Sequence, residues 1–163
     1  MTALYLVNNE DSFLNFLTSL TTLNDILFIF ISGQDCFKFL FSSRIGCTNL
    51  KKLKLIRSTL HYRVLDLRIL TNLTSLVLCK VSLSEECSTR LCSSISGCSD
   101  LNSLNLENIA LHNGVLDLST ITNLTSIILR NATMSEEFVH VSDTISSCCT
   151  QLMSICPYGC RMK

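Results

Sequence analysis

The chain has 163 residues, 47% of them apolar and 16% charged, with 13 Lys and Arg balanced by 13 Asp and Glu. A chain this apolar is not a disordered tail, and it is long enough to bury one substantial core. Zero formal charge leaves no global field to gather nucleic acid or an anionic membrane surface.

In chain order, the opening MTALYLVNNED has no basic start of the kind that begins a signal peptide. Leu4 and Leu6 read as the tail of a unit that recurs later. The most apolar stretch, Phe13 to Ile31, is broken by Asn15, Asn24 and Asp25. A membrane helix needs about 20 residues without such groups, so no membrane span is expected. From Leu23 a Leu-x-x-Leu-x-Leu pattern takes over. Units begin at Leu23, Leu50, Leu73, Leu101, Leu124 and Leu152, at intervals of 27, 23, 28, 23 and 28 residues. Most units hold a further apolar residue at their position 11: Leu60, Leu83, Leu111 and Met134. TNLTSLVLCKVSLSEE at 71–86 returns as TNLTSIILRNATMSEE at 122–137, an offset of 51.

Leucines at every second position predict a short strand with one buried face. One such strand cannot cover its own apolar face, so successive units are expected to stack into a parallel sheet over a shared core. The long units leave room for a helix. Ser84 and Ser135 suit N-caps, and Glu85, Glu86, Glu136 and Glu137 suit the positive end of the helix dipole. Cys87, Leu91 and Ile95 then follow at helical spacing, as do Phe138, Val141 and Ile145. Asp35 to Ile45 aligns with these two helices. The short units have no such room, and Val64–Leu67 and Val115–Leu118 should cross the back as extended or one-turn segments. The expected fold class is therefore α/β, with helices behind alternate strands of a parallel sheet.

Ten cysteines raise the question of disulfides. Cys47, Cys98 and Cys149 follow the offset of 51, which places them two strands apart, roughly 10 Å. That exceeds the reach of about 7 Å between Cα atoms of a disulfide, so they read as small buried fillers, suited to a reducing cytosol. His61 and His112 carry the same offset and cannot share a metal; His140 stands alone on an expected helix. Cys148, Cys149, Cys156 and Cys160 crowd the C-terminus without the paired spacing of a zinc ribbon. Residues 156–163 are therefore expected to form an irregular tail, with no metal. Asn72, Asn123 and Asn131 begin Asn-x-Thr triplets, which the repetition itself accounts for.

Units of 20–29 residues with this leucine pattern resemble the leucine-rich repeat family. The alternating long unit LVLCKVSLSEECSTRLCSSISGCSDL, with its helix and Cys-x-x-Leu entry to the next strand, is similar to the ribonuclease-inhibitor-like branch found in NOD-like innate immune receptors. One departure is plain. The family carries Asn or Cys at position 9, where this chain has Ile31, Ser58, Val81, Ile109 and Ala132. The resemblance implies a solenoid of about six units spanning 1–163, a segment of a longer array, cytoplasmic, with a sensing role. The alternative it leaves open is the substrate-recognition arm of an F-box-type ubiquitin ligase adaptor, or an enzyme inhibitor.

Nothing in the chain reads as catalytic. There is no nucleophile motif, and the scattered glycines do not form a phosphate-binding loop. The expectation is a protein that is not an enzyme and needs no cofactor. Its working surface should be the open face of the sheet, at positions 3, 5, 7 and 8 of each unit. The residues expected to meet a partner are Lys52, Lys54, Arg57, Val77, Lys80, Asn105, Glu107, Ile128 and Arg130. The basic cluster of Lys52, Lys54, Arg57 and Lys80 suits a protein partner with an acidic patch, and the absence of interleaved aromatics argues against nucleic acid. Leu27, Ile29 and Phe30 are apolar on the same face, which suggests cover by a partner or by adjacent repeats.

Overall fold

The computed structural model describes residues 3–6, 24–29, 49–60, 67–111, 116–134, 154–158 and 161–162. Its strands are β1 (Ala3–Leu6), β2 (Asp25–Ile29), β3 (Lys52–Ile56), β4 (Thr59–Leu60), β5 (Ser75–Cys79), β6 (Ser82–Leu83), β7 (Ser103–Glu107), β8 (Ser126–Arg130), β9 (Thr133–Met134), β10 (Ser154–Tyr158) and β11 (Arg161–Met162). A single α-helix among the described residues, α1 (Glu85–Ser96), follows β6. The class is α/β. β1, β2, β3, β5, β7, β8 and β10 lie side by side in that order as one parallel sheet. β4 pairs with β6, and β9 with β11, as two short ribbons beyond the strand ends.

Equivalent positions of successive units pair directly. Leu53 faces Leu76, Leu76 faces Leu104 and Leu104 faces Ile127. The hydrogen bonds that hold this register have one polarity. Position 3 donates back to the preceding strand, as in Ser75 N to Lys51 O at 3.0 Å and Ser126 N to Asn102 O at 3.1 Å. Position 8 donates forward, as in Arg57 N to Cys79 O at 2.9 Å and Lys80 N to Glu107 O at 2.8 Å. From position 3 onward, odd positions therefore serve the strand before, and even positions the strand after.

The leucines at positions 1, 4 and 6 make the core. Leu50, Leu53 and Leu55, then Leu73, Leu76 and Leu78, then Leu101, Leu104 and Leu106 are all at most 1% exposed. Fully burying one such side chain stabilises the fold by roughly 1.5–3 kcal/mol. Position 9, where polar residues were the family expectation, joins this core: Ser58, Val81, Ile109 and Ala132 are buried. Ser58 keeps its hydroxyl satisfied by donating to Ile56 O at 3.1 Å.

α1 forms where its sequence signals lie. Ser84 accepts from Cys87 N at 3.3 Å, and Glu85 and Glu86 occupy the first turn. Cys87, Leu91 and Ile95 are buried, and the helix shares its core with the strand leucines. It ends at Gly97, where an added Cβ would stand 3.1 Å from Arg68 Cγ. Arg68 belongs to the short 3-10 turn Leu67–Ile69, which lies in the β3-to-β5 link. In the β7-to-β8 link, Leu116 and Leu118 are buried in non-helical backbone. Among the described residues, the three links from β3 to β8 thus carry a 3-10 turn, α1 and non-helical backbone in succession. The helices expected near 35–45 and after Ser135 lie outside the described residues, as do Cys47, Cys148, Cys149, Cys160, His61, His112 and His140.

Cys98 is buried, and its thiol donates to Ser94 O at 3.3 Å. That is the filler role expected of the repeat cysteine. The repeated Asn-x-Thr triplets also have local work. Thr74 and Thr125 donate to Lys51 O and Asn102 O, each at 3.0 Å, and Asn123 Nδ2 donates to Ser99 O at 3.2 Å. The C-terminal expectation is corrected. Residues 156–163 are not simply irregular, because β10 runs to Tyr158 in register with β8, and β11 pairs with β9. Ile155 continues the pattern by pairing with Ile127. Pro157, the only proline of the chain, pairs with Leu129 at position 6. Its missing N–H is therefore one that would serve a following strand, and it costs the β8–β10 ladder nothing.

Candidate functional site: the open face of the sheet

The sheet has a leucine face packed into the core and an opposite face that nothing covers among the described residues. Along β3 the burial alternates: Lys52 and Lys54 are exposed, Leu53 and Leu55 buried, Ile56 half-buried. β5, β7 and β8 repeat the alternation, with Val77, Asn105 and Ile128 half-buried on the open side. All nine residues named from the sequence stand on this face or on the turn that continues it. Lys54, Val77, Asn105 and Ile128 form one row across four strands.

The turn at position 8 carries a feature that the leucine pattern does not announce. Arg57, Lys80, Asn108 and Asn131 all have left-handed backbone, with φ of 50°, 55°, 50° and 49°. The strand must reverse there to send position 9 into the core, while the position 8 N–H still reaches the next strand. Asn adopts this conformation readily; Arg and Lys do so at a cost of about 1 kcal/mol. Asn108 and Asn131 also join through their side chains, Asn131 Nδ2 donating to Asn108 Oδ1 at 3.2 Å. Those two asparagines were the one available sign of the turn in the sequence.

Charge divides the face into two halves. On β7 and β8 the charges are mutual: Arg130 lies 4.0 Å from Glu107, and Glu107 also accepts from Asn108 Nδ2 at 3.3 Å. On β3 and β5 they are all positive. Lys52, Lys54, Arg57 and Lys80 are exposed. Lys52, Lys54 and Lys80 have no ion pair among the described residues. Arg57 and Lys80 stand at the same position of neighbouring strands, a repulsive arrangement at about 5 Å. Asp25, on β2, is the single acid in register with the cluster, opposite Lys52. Leu27 and Ile29 are aligned with Lys54 and Ile56; Phe30 lies outside the described residues.

Two polar details complete the face. Asn105 Oδ1 is enclosed without a hydrogen-bond donor. Cys79 is a half-buried free thiol between Ile56 and Glu107. On the back of the sheet, burial pushes the Cys92 thiol up to about 11, too high for a nucleophile at neutral pH. Among the described residues no helix is long and apolar enough to cross a membrane. Comparison with known protein families and with curated proteins returns no match.

Proposed function

We propose that the chain is a leucine-rich-repeat solenoid that acts as a non-catalytic binding module. It takes a protein partner on the open face of its sheet, in the manner of the sensing region of a cytoplasmic NOD-like innate immune receptor. The observation that carries this reading is the contrast between the two sides of each strand. In the units of β3, β5, β7 and β8, positions 1, 4 and 6 are leucine or isoleucine and are buried. Positions 5, 7 and 8, in register on the other side, change from strand to strand: Lys54, Val77, Asn105 and Ile128 in one row, Ile56, Cys79, Glu107 and Arg130 in the next. A scaffold repeats what it needs for stacking, and a recognition surface varies what it shows.

A photo-activatable residue placed at Val77 or Asn105 on the open face, and at Arg90 on exposed α1, separates this from a reading in which the helical side binds. Adducts with a cellular protein should form from the two face positions and not from Arg90. Adducts from Arg90 alone would overturn the proposal.

A further inference from the structure

We draw no further inference here: the strongest candidate, the surface patch of exposed Lys52, Lys54 and Lys80 on the β3 and β5 side of the open face, belongs to the site already described, and nothing in the structure shows what covers it.

Discussion

The half of the sheet built on β3 and β5 and the half built on β7 and β8 rest on interchangeable cores. Leu76 and Leu104 face each other in register, both at 0% exposure, and Thr74 and Thr125 make the same bond to the strand before. Above those cores the halves diverge. One carries four exposed cations, two of them in a backbone conformation that suits neither. The other carries an ion pair and two asparagines that fit the same turn and bond each other. The turn is therefore the better satisfied in the β7–β8 half.

The largest test of this comparison addresses the shared core. Leu76→Ala and Leu104→Ala should each destabilise by roughly 3 kcal/mol in urea unfolding, with closely similar midpoints. A difference of more than about 1 kcal/mol would break the equivalence of the halves. The next effect concerns Cys92, in the link between them. Burial pushes its thiol up from 9.0, its ordinary value, to about 11 in the folded chain. The stability gained by keeping it neutral is complete below pH 9 and is lost as the pH climbs through 11. That loss should reach no more than about 3 kcal/mol, and Cys92→Ala should flatten the alkaline limb of the stability curve. Ser84→Ala, which removes the α1 cap, should cost about 1 kcal/mol in the same assay. The smallest and most discriminating test exchanges the turn residues. Lys80→Asn should stabilise, and Asn131→Lys destabilise, by about 0.5–1 kcal/mol each. Effects of equal sign would show that the turn is not the source of the difference.

Much of this scaffold was legible in the sequence, because burial leaves a period. Leu53, Leu55, Leu76 and Leu78 mark their strands by alternation, and Ser84 with Glu85 and Glu86 marks the start of α1. That the described part of the link between β3 and β5 holds a 3-10 turn and no α-helix agrees with the short length of that unit. The left-handed turn was not legible at Arg57 and Lys80, since neither residue favours it; the conformation is imposed by the strands on each side. Position 9 was visible as a departure from the family, but its entry into the core depends on that same turn. β10 was obscured by Pro157, which argues against a strand until its place at a sheet edge is known. The Glu107–Arg130 contact joins residues 23 apart and follows only from the stacking register.

Pro157 has one more consequence. A second molecule that offered its own β1 to the outer rim of β10 would find a rung of the ladder gone where an amide hydrogen should be waiting. End-to-end chaining of copies into a filament is penalised at that rim by the one residue type that cannot supply the bond.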